Sequence, residues 1–127
     1  VGATTTIWVE EKPMELVITT REVGDRTVVS VVGEVDIASA GALDAVLSEA
    51  IASGRTHLVV DLDEVGFLDS TGLGVLVKSL KRTREAGGSL TVVTESERVL
   101  KVIRITGLDA VIPLFASVDL ALAAVPE

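Results

Sequence analysis

Leu58 to Leu62 is a five-residue run, Leu-Val-Val-Asp-Leu, with a helical repeat on either side. Before it, Leu43, Val46, Leu47, Ala50 and Ile51 step as i, i+3, i+4, i+7, i+8, which is one face of a helix. After it, Leu73, Leu76, Val77 and Leu80 form a second such face. A short, almost wholly apolar run between two amphipathic helices suits a strand covered on both faces or set deep in a sheet. Strands alternating with helices indicate an α/β domain whose later strands are parallel.

The flanking segments fill in that plan. Leu16 to Val23 and Thr27 to Val32 are rich in β-branched residues and flank Gly24-Asp25, which predicts an antiparallel hairpin. Val35 to Ala38 reads as a further short extended piece, and Ser39 as the cap of the first helix, which Gly54 ends. Asp63 to Asp69 is expected to be a loop. Lys78, Lys81, Arg82 and Arg84 fall on the solvent face of the second helix, which Gly87-Gly88 stops. Leu90 to Val93 is a strand. Thr94 and Glu97 have capping-box spacing before a helix that reaches Ile105 and ends at Gly107. Val111 to Leu114 is a last short strand, and Ser117 starts a terminal helix with Val118, Ala121, Leu122 and Val125 inward.

Residues 1–13 depart from this pattern, with Thr4 to Thr6, Trp8 and Glu10-Glu11-Lys12-Pro13 ahead of Met14. They read as an N-terminal extension or an expression remnant, with an added edge strand around Thr5 to Glu10 as the alternative. Residues 14–127 are then the single domain, the size expected of one core in a chain of 127 residues.

Composition removes whole classes of function. The chain has no cysteine, which excludes a disulfide scaffold, a thiol nucleophile and zinc-finger chemistry. His57 is the only histidine, so a multi-histidine metal site is excluded too, and it reads as a strand-start residue. Lys plus Arg is 11 and Asp plus Glu is 19, so the net charge is 11 − 19 = −8. That balance argues against non-specific binding to nucleic acid or anionic membrane. No stretch approaches the ~20 apolar residues of a spanning helix, and the N-terminus has no signal pattern. A cytoplasmic protein without metal or cofactor is the expectation.

Unusual residues are densest from Asp61 to Gly74, where the apolar strand passes into the second helix. Such strand-to-helix junctions are where α/β sheets bind ligands and partners. Asp69-Ser70-Thr71 has two readings there. Asp, Ser and Thr are preferred helix caps. A hydroxyl at a helix start is also a place where a phosphate can be received without unfolding the domain, because free N–H groups and the helix dipole favour an anion. Gly72 and Gly74 need a reason in a helix, either tight packing on the sheet or close approach by a partner. Nucleotide motifs fail: a third glycine and a Lys-Ser/Thr pair are both missing. Ser70 lacks the flanking glycines of a hydrolase nucleophile elbow. Asp61 and Asp63 resemble the paired carboxylates of a small magnesium-dependent phosphohydrolase or receiver, though no later acidic pair completes a site.

Gly33-Glu34-Val35-Asp36, Phe67-Leu68-Asp69-Ser70-Thr71-Gly72-Leu73-Gly74, Gly87-Gly88 and Ile105-Thr106-Gly107-Leu108, in that order, resemble the STAS-domain anti-anti-sigma factors of bacteria. The resemblance covers residues 14–125. It implies a mixed β-sheet with an N-terminal antiparallel hairpin and helices mainly on one face. It also implies a switch protein and not an enzyme: an antagonist that binds an anti-sigma factor of the serine-kinase type while unphosphorylated. Phosphorylation at Ser70, with Thr71 as the alternative, ends binding, and a metal-dependent serine phosphatase restores it. Asp36, Asp69, Ser70, Thr71, Gly33, Gly72 and Gly74 are the partner-binding positions carried over. A monomer or weak dimer is implied. The alternative within the family is a structural module of a larger signalling assembly.

Overall fold

The computed structural model describes residues 4–9 and 16–124. The strands are β1 (Thr4–Val9), β2 (Val17–Val23), β3 (Arg26–Val35), β4 (His57–Leu68), β5 (Ser89–Val93) and β6 (Leu114–Phe115). The helices are α1 (Ala40–Ala52), α2 (Ser70–Glu85), α3 (Glu97–Ile105) and α4 (Val118–Ala123), with a 3-10 turn at Leu108–Ala110. The strands form one sheet in the order β1-β2-β3-β4-β5-β6. The first three are antiparallel, and β3 through β6 are parallel. This is the mixed sheet with an N-terminal hairpin that the sequence predicts. Residues 10–15 lie outside the described residues, as does Val125, expected on the inner face of the last helix.

Side-chain alternation sorts the core into two parts. Val29, Val31, Leu58, Val60, Leu62, Leu90 and Val92 face the helices α1, α2 and α3, which contribute Leu43, Leu47, Leu73, Leu76, Leu80, Val99 and Ile103. Val28, Val59 and Val93 point the other way, where Ala121 of α4 covers them with Val118 and Leu122 beside it. Three helices therefore sit on one face and one short helix on the other. The guanidinium of Arg26 fastens that short helix by donating to the carbonyl oxygens of Ala121 (3.1 Å) and Ala124. Among the described residues no helix is long and apolar enough to cross a membrane.

Several local expectations are corrected. Asp63 to Leu68 is strand, not loop: β4 continues beside β3 to the pair Val35–Leu68. The register shows how. Ser30 pairs with Asp61 but Val32 with Glu64, and Gly33 pairs with Val65 but Glu34 with Phe67. At each step β4 uses one residue more than β3, the signature of a bulge. Gly33 stands at the second bulge with φ +127°, a backbone conformation open to glycine and costly to other residues. β5 pairs with β4 only as far as Asp61, so the rest of β4 projects past it.

Val35 ends β3, and Asp36 to Ser39 form a bend and turn in place of an extended piece. Ser39 precedes α1 but its hydroxyl makes no helix-cap bond; it donates to the Glu34 carbonyl (2.8 Å) and accepts from the Asp36 N–H (3.0 Å). On α2, Val77 is exposed and Val75 is buried in its stead. Buried Ser79 and Thr83 widen the inner face, Thr83 satisfying its hydroxyl on the Leu80 carbonyl. The cap of α3 is Ser96, which accepts from Val99, while the Thr94 hydroxyl accepts from Ser96. The last strand is Leu114–Phe115, because Leu108–Ala110 takes up a 3-10 turn after Gly107. Ser117 caps α4 as expected, accepting from Leu120.

Candidate functional site

The parallel ends of β3 and β4 bring two separate sequence motifs together. Val35 and Leu68 are register partners, and the N–H of Asp69 donates to the Val35 carbonyl at 3.2 Å. Asp36 and Asp69 are therefore the first residues past two neighbouring strand ends, although 33 positions separate them (69 − 36). Both carboxylates organise backbone. Asp36 Oδ1 accepts from the N–H groups of Ala38 (2.9 Å) and Ser39 (3.1 Å), which closes the turn before α1. Asp69 Oδ1 accepts from Thr71 (2.9 Å) and Gly72 (3.1 Å), which caps α2.

Ser70 is the first residue of α2 and is exposed, as is Thr71; Asp69 is half-buried. The division of labour is clear. Asp69 supplies the cap, so neither hydroxyl is needed for it. The expectation that free N–H groups at this helix start would welcome an anion is corrected in part: Asp69 already takes two of them. A phosphate on Ser70 would sit beside an existing carboxylate and project its charge outward.

The two helix glycines separate cleanly. Gly72 is buried, and a Cβ there would lie 2.5 Å from Leu68 Cδ1 and 2.8 Å from Val35 Cγ1. It is glycine because α2 rests directly on the strand ends. Gly74 is exposed, and a Cβ there would meet nothing within 4 Å. Packing within the chain does not explain it, although glycine in a helix costs about 1 kcal/mol against alanine.

Asp61 and Asp63 also serve the backbone. Asp61 Oδ1 accepts from the Asp63 N–H (3.1 Å), and Asp63 Oδ1 from the Glu95 N–H (2.7 Å), which ties the start of α3 to the projecting part of β4. Arg98 adds a contact to the Gly66 carbonyl at 3.3 Å. Among the described residues no three acidic or histidine side chains gather as a metal site would need. His57 lies at the far end of β4 from Ser70, its Nδ1 3.0 Å from the Ser89 hydroxyl.

Sequence reasoning missed two exposed apolar side chains adjacent in the chain to the two motifs. Ile37, in the turn after Asp36, is 82% exposed, and Phe67, two residues before Asp69, is 41% exposed. Neither stands out in the expected extended piece at Val35 to Ala38 or the expected loop at Asp63 to Asp69; a large apolar side chain beside each motif aspartate is the available signal.

Comparison with known proteins agrees with this arrangement. Residues 17–121 match the family described as STAS domain. The chain is 39% identical over 88 residues to the anti-sigma-B factor antagonist of Bacillus subtilis, covering 69% of this chain and 80% of that protein. It is 31% identical over 113 residues to the anti-sigma-F factor antagonist RsfB of Mycobacterium tuberculosis, covering 89% and 92%. The crystal structure of an anti-sigma factor antagonist from Mycobacterium paratuberculosis superposes with a TM-score of 0.80 at 32% identity, over 91% of this chain and 98% of that one.

Proposed function

This chain belongs to the STAS-domain family of anti-sigma factor antagonists, and we propose that it is a phosphorylation-controlled switch whose acceptor is Ser70. While Ser70 is free, the chain binds an anti-sigma factor of the serine-kinase type and a sigma factor is released. The kinase then ends the interaction. The Ser70 oxygen attacks the γ-phosphorus of ATP, the bond to ADP breaks, and the hydroxyl proton passes to a base on the kinase. A metal-dependent serine phosphatase hydrolyses the phosphoserine with water and restores the hydroxyl. The chain itself acts as a regulator in the cytoplasm, as a monomer or weak dimer.

The observation that carries this reading is that Ser70 is exposed at the start of α2 while Asp69 and Gly72 meet the structural needs of that turn. A phosphate adds about −1.5 to −2 charge. Beside Asp69 in a docked complex, that charge would have to be desolvated next to another anion and next to the nucleotide phosphates of the kinase. Burying unpaired like charge is costly, so the complex comes apart while the fold stays intact. Thr71 is the second candidate acceptor, one residue further into the helix.

The test is direct. The full chain is incubated with its kinase-type anti-sigma factor and ATP, and the phosphate is located by mass spectrometry. The expected result is modification at Ser70 that disappears in Ser70→Ala. Undiminished modification of Ser70→Ala would move the acceptor to Thr71 or elsewhere. Ser70→Asp should bind the anti-sigma factor more weakly than wild type; equal affinity would overturn the electrostatic account.

A further inference from the structure

β1 (Thr4–Val9) stands outside residues 17–121, the part of the chain that matches the STAS domain family. It pairs antiparallel with β2 and forms one outer edge of the six-stranded sheet. An edge strand presents a row of backbone N–H and C=O groups that only water or another strand can satisfy.

The other open edges of this sheet are blunted. β6, at the opposite side, is two residues long, Leu114–Phe115. β4 has no strand beside it where it projects past β5, but that stretch carries Asp63 and Glu64, and the Asp63 carboxylate holds the Glu95 N–H at 2.7 Å. Short length and charge are the usual protections of an edge. β1 has neither. Its six residues, Thr-Thr-Thr-Ile-Trp-Val, include no charge and no proline, in a chain where 24% of residues are charged. All but Trp8 are β-branched, the type that favours extended pairing. Thr5 is exposed.

We propose that β1 is a self-association site, where two copies of this chain pair β1 to β1 and join their sheets into one. A strand that meets its own copy about a two-fold axis runs antiparallel to it. With no charge from Thr4 to Val9, no register of that pairing sets like charges opposite each other. The sheet has one unprotected edge of this kind among the described residues, so the assembly closes at two copies and does not grow into a fibre. The register shift between Thr6 and Trp8 adds twist to β1 and shortens the stretch open to pairing, which keeps the dimer weak. Each copy carries a net charge of −8, so approach is opposed at long range and the pairing strengthens as salt screens that charge. β2 and β3 separate β1 from β4, the strand that leads to Ser70, so the contact leaves the start of α2 uncovered and one dimer presents Ser70 twice.

Sedimentation of the full chain from micromolar to millimolar concentration, at low and high salt, reads the contact. The expected result is a reversible monomer–dimer equilibrium whose dissociation constant is at least threefold lower at high salt. Amide hydrogen exchange in the same samples should slow along β1 as concentration rises, with α2 and α4 unchanged. Thr5→Lys should weaken the dimer at least tenfold. Leu120→Lys makes the same charge change at an exposed position on α4 and should dimerise at least as well as wild type. The exchange measurement uses the unaltered chain, so it decides the question even where Thr5→Lys loosens β1 from β2. A chain that stays monomeric at millimolar concentration would overturn the proposal. So would protection that appears away from β1, a dimer weakened by salt, or Thr5→Lys dimerising as Leu120→Lys does.

Discussion

Gly72 rests against Val35 with no room for a side chain between them: a Cβ at Gly72 would stand 2.8 Å from Val35 Cγ1. The start of α2 is thereby pressed onto the end of β3, and Ser70 is held at a fixed height above the sheet. Over-packing of this kind costs about 1–3 kcal/mol. Gly72→Ala should lower the unfolding free energy by that amount in urea titrations. Gly74→Ala should do the opposite, raising it by up to about 1 kcal/mol. Equal effects at the two positions would contradict the packing described.

Asp69 has a structural role that can be separated from its charge. Replacing an N-cap by alanine costs about 0.5–2 kcal/mol. Asp69→Ala should lose stability in that range. Asp69→Asn keeps an oxygen for the N–H groups of Thr71 and Gly72 and should stay within a few tenths of wild type, roughly. If Asn were as destabilising as Ala in the same denaturation experiment, the cap would not be the reason for the residue.

Arg26 makes a prediction on the opposite face. It donates to the carbonyls of Ala121 and Ala124, and Ala121 is the buried residue of α4. Hydrogen bonds to charged groups contribute about 1.5–3 kcal/mol. Arg26→Ala should speed amide hydrogen exchange across Val118–Ala123, with β3 and β4 amides changed far less. Uniform acceleration through the sheet would mean that α4 is not separately held.

Gly33 is a backbone test. With φ +127° at a bulge, an L side chain is strained by about 1–3 kcal/mol. Gly33→Ala should be less stable by this margin, and its two-dimensional NMR spectrum should change most around Glu34, Val65 and Phe67. A neutral substitution would mean the bulge relaxes freely.

What could be read from the chain, and what could not, follows from how local each signal is. The hairpin around Gly24-Asp25 and the inner face of α1 are periodic and short-range, so they are visible in the residues themselves. Asp69-Ser70-Thr71 is visible for the same reason, since cap preferences act within one turn. The continuation of β4 was not visible. Asp63, Glu64 and Gly66 have the composition of a loop, and the stretch becomes strand only because β3 runs beside it, pairing Glu64, Val65 and Phe67 across two bulges. Val77 was misplaced because Ser79 and Thr83, polar by residue type, are buried and turn the helix. The occupied state of the α2 N–H groups depends on where the Asp69 carboxylate swings, which no spacing encodes.

The projecting part of β4 has one more consequence. From Leu62 onward β4 has β3 along one edge and no β5 along the other, so Ser70 is carried at the end of an overhang beyond the shared part of the sheet. If Ser70 is the acceptor, as proposed, its two states would then differ in which protein they meet and hardly in how readily the chain unfolds or is cleaved by proteases. Under the proposed switch the number of molecules in a cell would stay constant while the fraction competent to act is reset, so that the history of kinase and phosphatase activity would be stored in the population without being erased by turnover.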